Sequence, residues 1–160
     1  MIYNLQSKLG YTLVELMIVI SIVGILVTFG VSAYGRGREK QAGQAAGEQI
    51  ISILNASQKL ANIGNKDCIG KFTGQQVVFA PPNLLKTRSR CGTNPPGTET
   101  TFTVPEITGM TSATIVFNPL SLGINLGTTN PLTISYTGPS GATYRVLINK
   151  SGTIEYKGTP

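Results

Sequence analysis

The chain has 160 residues, a formal charge of +6 and neither histidine nor tryptophan. Without histidine a Ser-His-Asp hydrolase in its usual form is excluded, and two cysteines with sparse carboxylates make a poor catalytic metal set. Gly35-Arg36-Gly37-Arg38 lacks the Lys-Ser/Thr ending of a phosphate loop and follows an apolar run rather than a strand. Glu99, Glu106 and Glu155 are too scattered for paired-carboxylate glycoside chemistry. Neither an enzyme nor a cofactor is expected.

Residues 1–10 are too short and too polar for a secretory signal with its own apolar core. Residues 13–33 then form an apolar run of about 21 residues, long enough to span a bilayer as a helix. Glu15 sits near the start of that run. A carboxylate in hydrocarbon costs roughly 2.5–3.5 kcal/mol, so it needs a specific partner. Gly24 and Gly30 are weak points of this helix.

Over residues 36–63 the pattern becomes one-sided. Ala42, Ala45 and Ala46, Ile50, Ile53 and Leu54, Ser57, Leu60 and Ala61 recur at three- and four-residue spacing, the mark of an amphipathic helix. Gly64-Asn65 is a natural stop. One helix over residues 12–63 is expected, apolar all round in its first half. The alternative is two helices broken near Gly35 and Gly37, because glycine is a weak helix former.

After Lys66 the composition turns to Thr, Gly, Pro, Asn and β-branched residues. Strands are expected at 75–80, 100–104, 113–118, 132–136, 143–148 and 153–156, separated by Pro-containing breaks such as Pro81-Pro82 and Asn130-Pro131. The clearest hairpin joins 144–148 to 153–156 through Asn149-Lys150-Ser151-Gly152. An antiparallel sheet needs one face covered, and the one-sided helix is the available cover. The expected class is α+β, a long N-terminal helix packed on a C-terminal antiparallel sheet domain.

Cys68 and Cys91 are the one cysteine pair. In an exported domain they would form a disulfide closing a loop of about two dozen residues, worth on the order of 3 kcal/mol. In a reducing compartment they would be two buried thiols. Lys86, Arg88 and Arg90 alternate, which on an extended segment puts three cations on one face. That face could contact DNA phosphates, but no aromatics are interleaved to stack bases, and a solvated loop edge that discourages strand pairing is favoured. Arg36, Arg38 and Lys40 after the apolar run would by charge alone prefer the cytoplasm, against only Lys8 and the amino terminus before it.

Gly10, Tyr11, Thr12, Leu13, Val14 and Glu15, followed by Leu16-Met17-Ile18-Val19-Ile20, resemble the N-terminal signature of type IV prepilins and pseudopilins. The resemblance covers about the first sixth of the chain. It implies that a prepilin peptidase cleaves between Gly10 and Tyr11 and N-methylates Tyr11, where the family more often has Phe. It implies that Glu15 neutralises the amino terminus of a neighbouring subunit during assembly. Members often carry a helix-kinking proline where this chain has Ser32. The resemblance also supports a disulfide, since many pilins clamp a loop with one.

The domains that follow are a leader at 1–10, a transmembrane and polymerisation helix at 11–34, and a globular domain at 35–160 with its helix at 35–64 and its β-rich region at 65–160. The implied partners are other pilin or pseudopilin subunits, the prepilin peptidase, an inner-membrane assembly platform, and membrane lipid before assembly. The implied location is the cytoplasmic membrane, single-pass with the C-terminal domain outside, and then an extracellular or periplasmic filament. The leading function is a structural subunit of a type IV pilus or type II secretion pseudopilus. The strand-rich domain and final hairpin look like minor pilins or minor pseudopilins. A DNA-binding competence pilin and a non-polymerising anchored domain are the alternatives. Some minor pilins bind DNA through Gly-Arg-X-Arg near the C-terminus, but here Gly152-Thr153-Ile154-Glu155 lacks arginine.

Overall fold

The computed structural model describes residues 12–92, 96–127 and 129–158. The chain divides into two units, Met1–Gly37 and Arg38–Pro160. The single long helix α1 spans Leu13–Asn62, so Gly35 and Gly37 are helical and the break considered there does not occur.

In the first unit the start of α1 is set by Thr12. Its carbonyl accepts the Leu16 N–H at 3.2 Å, and its hydroxyl accepts the Glu15 N–H at 3.2 Å, satisfying one of the free donors of a helix start. The hydroxyls of Ser21 and Thr28 donate to the carbonyls of Met17 and Gly24 at 2.8 and 2.9 Å. These polar groups are satisfied by the helix's own backbone and leave its surface apolar. Every large apolar side chain from Leu13 to Val27 is more than half exposed. Among the described residues no helix is long and apolar enough to cross a membrane. The side chains described in the expected apolar run cover 13–28, fewer than the roughly 20 a span requires. Those of 29–33 lie outside the described residues.

In the second unit the strands are β1 (Phe72–Ala80), β2 (Leu84–Cys91), β3 (Thr100–Thr103), β4 (Gly109–Met110), β5 (Ala113–Phe117), β6 (Ile124–Asn125), β7 (Leu132–Thr137), β8 (Thr143–Ile148) and β9 (Ile154–Gly158). They form a five-stranded sheet ordered β3-β2-β1-β5-β6 and a four-stranded sheet ordered β4-β7-β8-β9. Every pairing is antiparallel. Val77, Phe79, Leu85, Ile115 and Phe117 of the first sheet and Ile134, Tyr136, Tyr144, Val146 and Ile148 of the second join Ala46, Ile50, Ile53, Leu54 and Ala61 of α1 in one core. The expected α+β class, a helix packed on antiparallel strands, is therefore what forms.

The expected hairpin is β8 and β9, with Ile148 opposite Ile154. Its turn closes through Gly152 N–H to Asn149 O and Asn149 N–H to Thr153 O, both at 3.0 Å. Gly152 has φ +96°, a conformation only glycine takes without strain.

Four expectations need correcting. The strands lie in two sheets rather than one. Leu84–Cys91, absent from the expected strands, is a strand that lies inside the first sheet between β1 and β3 rather than at a loop edge. Its buried positions hold Leu85, Thr87, Ser89 and Cys91, so small hydroxyls mask the period-two pattern. The two-residue strands β4 and β6 are too short to show a period at all. Lastly, Ala45 is exposed, whereas Gly43 and Gly47 occupy the buried stripe.

Those two glycines seat the helix on the second sheet. The Tyr136 hydroxyl donates to the Gly43 carbonyl at 2.8 Å. Tyr136 and Tyr144 stack at 5.3 Å between ring centroids, and Tyr144 and Tyr156 at 6.5 Å. A methyl group at Gly43 would overlap the Tyr144 ring, and one at Gly47 would overlap the Tyr136 hydroxyl and stand 2.7 Å from the Tyr156 ring. Burial first, then the neighbouring Tyr156 and Tyr144, push the Tyr136 hydroxyl far above its ordinary range, so it remains a donor. The Tyr156 hydroxyl is buried beside that of Tyr136 without reaching hydrogen-bond geometry.

Cys68 and Cys91 are disulfide-bonded, with 5.9 Å between their Cα atoms and a separation of 23 residues. The bridge ties the loop after α1 to the end of β2.

Two stability experiments follow. Gly47→Ala should destabilise the protein by about 1–3 kcal/mol through overpacking, although alanine is favoured over glycine in an open helix by about 1 kcal/mol. Gly37→Ala, where a methyl would meet nothing within 4 Å, should be neutral or stabilising. Urea unfolding of the two variants reads the opposite signs. Replacing Cys68 and Cys91 by serine should lower stability by about 3 kcal/mol, the loop-closure entropy of a loop this size, and reductant should leave that double variant unchanged.

Candidate functional site

Gly10 and Tyr11, the expected cleavage pair, lie outside the described residues. Glu15 is in the first turn of α1, where the positive end of the helix dipole favours an anion. Its backbone is held by Thr12, and among the described residues its carboxylate has no ion-pair partner. Thr12 and Glu15 stand three apart, the spacing of a capping box. From the sequence alone Glu15 reads as a carboxylate in an apolar run and Thr12 as part of a signature; neither reads as a helix cap. Around them the helix offers exposed Leu, Val, Ile and Met on every side. Such a surface is chemically inert. What it supplies is an apolar cylinder that other apolar surfaces can cover, carrying one anion near its tip.

Lys86, Arg88 and Arg90 do share one face of β2, opposite Leu85, Thr87 and Ser89. Lys86 Nζ lies 2.8 Å from Glu99 Oε1, and Arg88 Nη1 lies 4.0 Å from Glu99 Oε2. Arg88 Nε also donates to Gln76 Oε1 at 2.8 Å. Hydrogen bonding with Lys86, opposed by slight desolvation and helped by the charges of Lys86 and Arg88, holds the Glu99 carboxyl below its ordinary range. The carboxylate that partners this face is thus Glu99, which in the sequence is only one of three scattered glutamates. Its relation to β2 depends on the pairing of β2 with β3, a contact no local pattern announces.

Among the described residues no group of histidine, cysteine, aspartate or glutamate is placed to hold a metal ion.

Residues 5–31 match the prokaryotic N-terminal methylation motif. Comparisons with curated proteins and with solved structures returned no match. The motif implies processing by prepilin peptidase and assembly with other pilin subunits. The motif at its N-terminus indicates a type IV pilin-like precursor.

Proposed function

We propose that the chain is a non-enzymatic structural subunit of a membrane-rooted filament, a type IV pilus or a type II secretion pseudopilus, built through the N-terminal part of α1. Cleavage between Gly10 and Tyr11 frees an amino group four residues from Glu15. After N-methylation, the cation of one copy pairs with the Glu15 carboxylate of the next. Before assembly, residues 13–33 rest in the cytoplasmic membrane with the C-terminal domain outside. Assembly then carries the domain into an extracellular or periplasmic filament with the help of an inner-membrane platform.

The observation that carries this reading is the apolar, exposed helix surface from Leu13 to Val27 with one carboxylate at its start. An apolar surface of that extent is unfavourable in water at roughly 25 cal/mol per Å² and calls for lipid or a neighbouring helix. The Cys68–Cys91 bridge fits an oxidising location. A minor rather than a major subunit is favoured by the strand-rich domain and the basic balance. The contacts of Lys86 and Arg88 with Glu99 favour a solvated structural face over a DNA-binding one.

The Glu15→Ala variant tests the assembly step. It should insert and be cleaved normally, because removing the charge eases insertion. Its incorporation into sheared filaments, read by immunoblot, should then fall by at least about tenfold, the factor that 1.4 kcal/mol supplies. Normal incorporation would contradict the charge-pair account.

A further inference from the structure

The second unit contains a cavity of about 260 Å³ between the end of α1 and strands β1, β2 and β3. Its position marks a change of chemistry along one sheet face. Val77, Phe79, Leu85, Ile115 and Phe117 make that face apolar, and then Gln75, Thr87 and Ser89 continue it with buried polar groups, each no more than 6% exposed. A buried amide or hydroxyl without a partner costs about 1–3 kcal/mol by mutational measure. Valine or isoleucine there would simply extend the core.

The polar groups are only partly satisfied within the protein. Ser89 Oγ donates to Gln75 Oε1 at 3.2 Å. Asp67 Oδ2 accepts the Thr98 N–H at 2.7 Å. Asp67 is exposed; desolvation works to raise its carboxyl, but hydrogen bonding with Ser89 and Thr98 outweighs it and keeps the group below its ordinary range, hence ionised near neutrality. Ser89 has one proton for two acceptors, Gln75 and Asp67. Among the described residues the Gln75 amide nitrogen donates no hydrogen bond, so one end of this carboxamide is left for the cavity. The wall is therefore rich in acceptors, with an amide and hydroxyls interspersed. No lysine or arginine lines it, although the chain is basic overall. The remaining surface includes Leu60 and the ring of Phe102, which is 37% exposed.

We propose that this cavity binds a neutral sugar ring of monosaccharide size, with hydroxyls on Asp67, Gln75, Thr87 and Ser89 and its C–H face against Phe102. An anion has no cation to meet there. A fully apolar ligand would strand the amide and the carboxylate. The volume lies just below the roughly 300–1,000 Å³ of pockets for drug-sized ligands, which suits a single ring. The site lies in the second unit, with Leu60 of α1 in its wall, and does not involve Glu15.

The test uses the full chain in detergent micelles, titrated with the methyl glycosides of glucose, galactose, mannose and N-acetylglucosamine. Ethanolamine and inorganic phosphate are titrated in parallel, and amide shifts are followed by NMR. At least one glycoside should shift the amides of Thr87, Ser89 and Thr98. Thr87→Val and Phe102→Ala should each weaken it by about tenfold, one decade of affinity. Thr87→Val, which removes a buried hydroxyl at nearly constant volume, should keep the melting temperature or raise it. Three results would overturn the proposal: no shift with any glycoside, stronger binding of ethanolamine or phosphate, or glycoside binding indifferent to both variants.

Discussion

Helix α1 carries two surfaces with opposite demands across its 50 residues. From Arg38 onward it needs a partner on one side only, and the two sheets of the second unit supply it. Ile50 and Leu54 are wholly buried there, alongside Ala46, Ile53 and Ala61. Truncating a buried residue of this kind to alanine typically costs about 2–5 kcal/mol. From Leu13 to Val27 the same helix is apolar all round and more than half exposed. That surface needs partners on every side, which a second copy of the helix or lipid can supply. The functional proposal follows from this mismatch together with the methylation motif.

The way the helix meets the four-stranded sheet shows how close packing is achieved without large apolar residues. Tyr136, Tyr144 and Tyr156 form a stacked row, and the helix presents Gly43 and Gly47 to it. Absence of side chains lets the backbone approach, so that the Tyr136 hydroxyl reaches the Gly43 carbonyl. Such a bond contributes about 0.5–1.5 kcal/mol net, and leaving its buried donor unmet would cost more. Two helix-weakening glycines, each with a propensity cost of about 1 kcal/mol, thus permit both this bond and the close seating of the tyrosine row.

Much of this arrangement was readable before any coordinates. Proline and glycine punctuation located most of the longer strands, and the final hairpin followed from Gly152 and the alternation around it. The apolar run placed the helix start near Thr12, and Cys68 with Cys91 offered the bridge. Part of what escaped has one physical cause, namely that size and polarity hid the role. Gly43 and Gly47 do not stand out in the sequence because an apolar face is ordinarily recognised by its bulk, whereas Ala45 fits the spacing of that face and is exposed. Strand β2 alternates hydroxyls with cations, so its buried side did not look apolar. The pairing of Glu99 with Lys86 and the cavity at Gln75, Thr87 and Ser89 come from contacts between strands distant in sequence.

The central claim is that the chain becomes a filament subunit only after its N-terminal segment is removed. Intact mass of the protein from its native host, with and without reductant, tests it most directly. The account predicts a chain beginning at Tyr11, heavier by one methyl group and lighter by the two hydrogens of the Cys68–Cys91 bridge. A mass that still includes residues 1–10 would contradict it and leave an anchored domain that does not polymerise.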